Sequence, residues 1–338
     1  VNGNFVWRDA GRTVVFHAGG VATSPKLLAE HGMRGFELLS SQRRLDGARA
    51  LAEAASAVHV LPPMEPAVAV TEAAAALLES ATGPALVALG GGRTIDTAKA
   101  VAAITGARVA AVPTTMSGAE MTGIHRLPAG AEDRAKGMVR PDLVIADPAA
   151  MTSAPEPELR ASSMNALAHG ADSLYTPFAN PVSRITALRG AESIATALDQ
   201  NPSERNRETL ALGSILCGYA IDSAAFSLHH VVCQTLVRIC GAPHAGVNAA
   251  ILPRAMSFMA DRAPDGLEPL ATAIDTEPAA IEARLLELGG NPPGLGDQGA
   301  DPNKLPQAID AMLLRPELAF SPEPPTRPEL ETLIDRAW

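Results

Sequence analysis

Along the first 150 residues, short apolar runs alternate with longer stretches of helical period. Strand-like runs fall at 14–16, 36–40, 57–61, 85–89, 107–112 and 143–146, most of them closed by Gly or Pro. Between several of them lie Ala- and Leu-rich pieces such as 27–31 and 71–80. Short continuous apolar strands separated by helices predict a parallel sheet covered on both faces. After Pro148 the strand signal stops. Residues 158–175, 183–198, 207–240 and 249–259 repeat their apolar positions with helical spacing, and 289–302 is a Gly/Pro/Asp-rich loop before two last helices. The pattern predicts an α/β domain over 1–149 and an all-α domain over 150–338.

Composition narrows the class. The chain has 338 residues, 47% hydrophobic and 19% charged, which is ample for a buried core and excludes general disorder. No run of about 18 apolar residues occurs, so no membrane span is expected. A formal net charge of −10 argues against nonspecific nucleic-acid binding. It leaves room for a small anionic substrate, because a pocket's potential is local. Cys217, Cys233 and Cys240 lie within 24 residues without a C-x-x-C pair, so they read as buried, reduced thiols in a cytoplasmic protein. The first twelve residues carry three charges and no apolar segment, unlike a secretory signal.

Two loops carry candidate phosphate chemistry. Residues 85–99, A-L-V-A-L-G-G-G-R-T-I-D-T-A-K, run from a strand through three glycines into a helix start. Glycines let backbone approach a ligand, and the helix N-terminus offers N–H groups to an anion. Residues 113–122, P-T-T-M-S-G-A-E-M-T, follow the next strand and place three hydroxyls, Thr114, Thr115 and Ser117, in one loop. Each loop alone also fits an ordinary βα turn. Two at neighbouring strand ends point to a nucleotide. The segment 39–44, L-S-S-Q-R-R, lacks the acidic residue that binds a ribose 2′-hydroxyl; Arg43 or Arg44 could meet a 2′-phosphate or simply be solvated, so the pattern does not choose between NADH and NADPH.

Four of the eight histidines, His169, His229, His230 and His244, fall in the helical half. Asn165 and His169 are four apart, as are His230 and Gln234, so each pair shares a helix face. Imidazoles at successive helices suit metal ligation or proton transfer. Asn165 is a neutral, weak donor, which favours a metal-free polar pocket over a tight metal site. Asp172, three past His169, is expected to orient that ring.

These segments, with M-N-A-L-A-H-G-A-D-S-L-Y (164–175) and L-H-H-V-V-C-Q followed by G-A-P-H-A, resemble the iron-containing alcohol dehydrogenase superfamily, and within it the maleylacetate reductase branch, in order and spacing along nearly the whole chain. The resemblance implies the dehydroquinate synthase-like fold, an N-terminal dinucleotide-binding domain and a C-terminal helical domain. It implies that Gly91, Gly92, Arg93, Asp96, Thr114, Thr115, Ser117 and Thr122 hold NADH or NADPH, with Lys136 near the nicotinamide. Asn165, His169, His230 and His244 stand where metal-dependent relatives carry Asp and three His, and the Asp-to-Asn change resembles the branch that works without metal. Gln234 stands where the family has a His beside the nicotinamide and joins the catalytic set. The implied reaction is hydride transfer to a conjugated unsaturated oxo-acid, giving a 3-oxo dicarboxylate, in a homodimer. Two further readings stay open: a metal-dependent alcohol dehydrogenase that tolerates Asn165, and a non-redox lyase, isomerase, cyclase or inactive binding protein, towards which Gln234, Arg93 and His17 point.

Overall fold

The computed structural model describes residues 11–62 and 69–338, without the side chains of Ala69, His244 and Ala245. Most of the N-terminal stretch compared above with a secretory signal lies outside the described residues. The chain divides into two compact units, with the division between Ala154 and Pro155. That lies beyond the 149/150 junction read from the sequence, because the helix after Pro148 stays with the first unit. Asp147 caps that helix through Ala149 N–H at 3.1 Å and also accepts Val21 N–H at 3.1 Å.

The first unit contains β1 (Thr13–Phe16), α1 (Gly20–Glu30), β2 (Glu37–Ser40), α2 (Gln42–Leu45), α3 (Arg49–Ala54), β3 (Ala57–Val60), α4 (Ala69–Leu77), β4 (Ala85–Gly90), α5 (Gly92–Thr105), β5 (Arg108–Pro113), β6 (Leu143–Ala146) and α6 (Pro148–Met151). The six strands form one parallel sheet in the order β1-β6-β5-β4-β2-β3. Side-chain alternation divides the core. Leu86, Ala88, Val109 and Ala111 face Ile95, Ala98 and Val101 of α5, while Val87, Leu89, Ala110, Val112 and Ile145 face Leu28 and Leu51 on the other side. The inner strands β2, β4 and β6 are buried throughout, whereas the edge strands β1 and β3 keep exposed positions. A parallel sheet shows this gradient when helices cover both faces.

The second unit is helical: α7 (Glu156–Ser173), α8 (Pro181–Leu198), α9 (Arg207–Ala224), α10 (Leu228–Cys240), α11 (His244–Met259), α12 (Pro264–Ala273), α13 (Ile281–Leu288), α14 (Leu305–Leu313) and α15 (Arg327–Asp335). Glycines let α7, α8 and α9 approach closely. A Cβ on Gly190 would lie 2.6 Å from Cys217 Sγ, and one on Gly213 would lie 2.9 Å from the Gly190 carbonyl. All three cysteines are free and buried, and burial pushes the Cys217 thiol up to about 12. Among the described residues no single helix is long and apolar enough to cross a membrane.

The apolar stretch 207–240, helical in spacing throughout, forms two helices. Between α9 and α10 the chain bends by 99°. Ala225 adopts φ 60° and ψ −176°, a region populated almost only by glycine. The break holds because Thr176 Oγ1 donates to the Ala224 carbonyl and the first turn of α10 finds a cap from another helix. Neither signal is local, so periodicity alone misses the corner.

Candidate functional site

The nucleotide-type loops lie side by side because β4 and β5 are neighbours in register, Gly90 opposite Pro113. Thr114 N–H donates to the Gly90 carbonyl at 3.0 Å. Gly91 is the N-cap of α5. A Cβ on Gly91 would lie 3.1 Å from Thr115 Oγ1, and one on Gly92 would lie 2.9 Å from Ser117 Cβ, so the two loops close on each other only because these positions are glycine. Arg93 occupies the first turn of α5, half-buried. The Thr114 hydroxyl is buried and has no hydrogen-bond partner among the described residues. An orphaned hydroxyl beside the first-turn N–H groups of a helix fits a phosphate oxygen.

Beneath the loops lies a charged group that sequence reading missed. Lys99 is fully buried. Its Nζ donates to the carbonyls of Ala119, Thr122 and Ile124 at 2.9, 3.1 and 2.8 Å and pairs with Asp96 Oδ1 at 2.9 Å. Asp96 therefore binds Lys99, and Thr122 is held through its main chain. Glu120, fully buried in the same loop, contacts Ser117 Oγ through Oε2 at 3.4 Å, and its Oε1 has no partner among the described residues. Burial lifts its carboxyl from 4.5 to about 7 against the opposing pull of its own backbone N–H, Lys99 and Ser117. Only the placement of these groups in A-K and G-A-E could have signalled them in the sequence.

Lys136 does not join this group. Its N–H donates to Ala103 at 2.9 Å, and its ammonium lies 3.5 Å from where a Cβ on Gly106 would be, so it sits exposed at the C-terminal end of α5. A helix of fourteen residues separates it from the glycine turn by about 20 Å. The segment after Thr122 runs back along the sheet, which spacing in sequence does not reveal.

In the helical unit, Asn165, His169 and Asp172 are buried on one face of α7. The His169 and His230 rings stack, centroids 5.0 Å apart and planes inclined by 16°. His229 meets His230 edge-on at 4.9 Å, and Phe226 packs against it at 5.7 Å. Asp172 orients His230 rather than His169: its Oδ2 accepts from His230 Nδ1 at 2.7 Å. The same carboxylate accepts the backbone N–H of Ser227, His229 and His230 at 2.9, 3.4 and 3.2 Å, together with the Tyr175 hydroxyl. Burial alone would raise this acid. The His230 hydrogen bond, the two imidazoles and Tyr175 outweigh it and bring the carboxyl to about 2. Asp172 is thus the cap that starts α10.

The remaining expected residues divide. Gln234, half-buried, accepts from Arg315 Nη2 at 3.1 Å, and Arg315 also pairs with Glu317 at 2.8 Å. Arg315 stands 81 residues away in sequence, and no local signal marks it. His244 opens α11, and its side chain lies outside the described residues. His229 is a structural neighbour: fully buried, its Nε2 meets Asn248 Oδ1 at 2.9 Å. Among the described residues no group of three or more His, Cys, Asp or Glu is arranged to hold a metal ion.

Residues 11–148 match the model for "Iron-containing alcohol dehydrogenase", and residues 160–338 match "Fe-containing alcohol dehydrogenase family, C-terminal". The chain belongs to the iron-containing alcohol dehydrogenase family. Within this family it is similar to maleylacetate reductase 1 of Rhodococcus opacus, 35% identical over 283 residues, which cover 81% of this chain and 78% of that protein. The crystal structure of maleylacetate reductase from Agrobacterium tumefaciens superposes with a TM-score of 0.84 at 29% identity, covering 99% of this chain and 98% of the other. That from Rhizobium sp. strain MTP-10005 gives 0.84 at 28% identity with the same coverage. As a member of this family, the chain is an oxidoreductase.

Proposed function

We propose that this oxidoreductase is a metal-independent, NAD(P)H-dependent reductase of maleylacetate or a closely similar unsaturated oxo-dicarboxylate, yielding a 3-oxo dicarboxylate. The observation that carries the reading is the make-up of the buried cluster. The amide of Asn165 stands one helical turn before His169, whose ring stacks on His230. A neutral amide in place of an anionic ligand weakens the hold of the imidazoles on a divalent cation and leaves donors for an organic anion. The similarity to maleylacetate reductases supports the substrate class.

The glycine turn, Arg93, Thr114, Thr115 and Ser117 would hold the dinucleotide, and bound NAD(P)H supplies the hydride. The chain's own residues handle the charge that follows. As electron density moves onto the conjugated oxygen, the Asn165 amide and the His230 ring present donors already fixed in place. His230 Nε2, buried and without a partner among the described residues, is the ring atom left to face substrate. In its imidazolium form, with Nδ1–H held by Asp172, the ring donates from Nε2 to the oxyanion, delivers that proton and is left as the neutral Nδ1–H ring.

We further infer a preference for NADPH. Ser40 pairs with Leu89, so the chain leaving β2 starts beside the glycine turn. Arg43 and Arg44 follow there, with no carboxylate ion pair among the described residues, and Ser153 Oγ steadies Arg44 at 3.2 Å.

The test is NADH and NADPH oxidation with maleylacetate, with and without chelator. Saturable oxidation that survives chelation in protein with substoichiometric metal is expected. Activity lost on chelation and restored by iron or zinc would replace this reading with the metal-dependent one.

A further inference from the structure

We infer that Asp172 is the positioning residue of the histidine site: it locks His230 into the form with hydrogen on Nδ1 and so dedicates Nε2 to the substrate. This rests on the reductase reading for the identity of the substrate, but the hydrogen-bond argument is independent of it.

The donors around Asp172 leave no alternative arrangement. Three are backbone N–H groups, which pair only with an accepting oxygen. A fourth is the Tyr175 hydroxyl. The carboxylate accepts on both oxygens and has no proton to give. The Nδ1 at 2.7 Å must therefore carry the hydrogen. One oxygen, Oδ2, takes both the main-chain N–H and the ring N–H of His230, so it fixes the ring's orientation as well as its tautomer. The stacked His169 closes one ring face, and Nε2 is the polar atom that remains. The same carboxylate caps α10, which ties the tautomer to the corner between α9 and α10.

The experiment uses the full chain labelled with 15N-histidine. His230 resonances are identified by their loss in His230→Gln, alongside steady-state kinetics of Asp172→Asn and Asp172→Glu. The neutral wild-type ring is expected to carry its hydrogen on Nδ1. In Asp172→Asn the ring should redistribute towards Nε2–H. Its kcat should fall about 100-fold with KM for NAD(P)H within about twofold, and Asp172→Glu should recover part of kcat. A wild-type ring in the Nε2–H form overturns the inference, and that readout requires no variant to fold. So does an Asp172→Asn protein that keeps both the wild-type signature and wild-type kcat. The NMR arm decides the tautomer even where the wild type reduces no maleylacetate, so the two failures read differently.

Discussion

His169 from α7 and His230 from α10 lie ring on ring, 5.0 Å between centroids and 16° between planes. The contact joins two helices and sets the plane in which His230 presents Nε2. Truncating either ring should act on turnover rather than on cofactor binding, since the nucleotide groups identified above belong to the other unit. His230→Ala is expected to lower kcat about 100-fold or more, and His169→Ala less. NADPH affinity, measured by fluorescence titration, should stay within about twofold of wild type.

Lys99 holds the loop that contains Thr122 from below. Lys99→Met removes one buried cation and leaves Asp96 and three carbonyls without it. Because Asp96 is 31% exposed, the loss should stay below the roughly 3–5 kcal/mol of a fully buried pair. Urea unfolding should show that loss, and cofactor affinity should weaken with it.

Glu120 makes stability depend on pH with a definite sign. Its folded value, near 7, lies above the ordinary 4.5, so the folded chain holds more protons between those values. Stability contributed by this group is therefore complete below about 4.5 and is lost as pH rises through about 7. Relative to Glu120→Gln, the wild type should match at pH 4.5 and fall behind by about 3 kcal/mol at pH 8, read from urea midpoints. A gap that does not change with pH would show that the carboxyl ionises normally.

On the NADPH reading proposed above, Arg44, steadied by Ser153, would meet the 2′-phosphate. Arg44→Ala should reduce kcat/KM for NADPH about tenfold, the scale of one charge-assisted hydrogen bond, and leave NADH nearly unchanged. An equal fall with both cofactors would remove this side chain from specificity.

Ala225 bears a backbone conformation that suits glycine. Strain of this kind costs about 1–3 kcal/mol, and glycine's extra entropy in the unfolded chain returns part of the gain. Ala225→Gly should raise stability by about 1 kcal/mol in a thermal or urea melt. A destabilised variant would show that the corner is unstrained.

The strands were legible because burial on both faces leaves an unbroken apolar run, and Gly or Pro closes most of them. The glycine turn was legible for a similar reason: only residues without Cβ permit the approach of Thr115 and Ser117. Asn165 and His169 were legible as one face because helical geometry places residues four apart together. The corner at Ala225 was not, because both halves of 207–240 carry the same helical period and the bend depends on groups from α7 and the segment after it.

The sequence by itself determined the alternation of strand and helix, the two-part organisation and the residue types available for chemistry, because these depend on local geometry and on which positions must avoid water. Only the tertiary structure decided the partners. Asp172 serves His230, 58 residues on, instead of His169 on its own helix. Asp96 serves Lys99, and Lys136 lies at the wrong end of α5. Such pairings are set by where packed helices and loops bring side chains across space, a distance that no count along the chain contains.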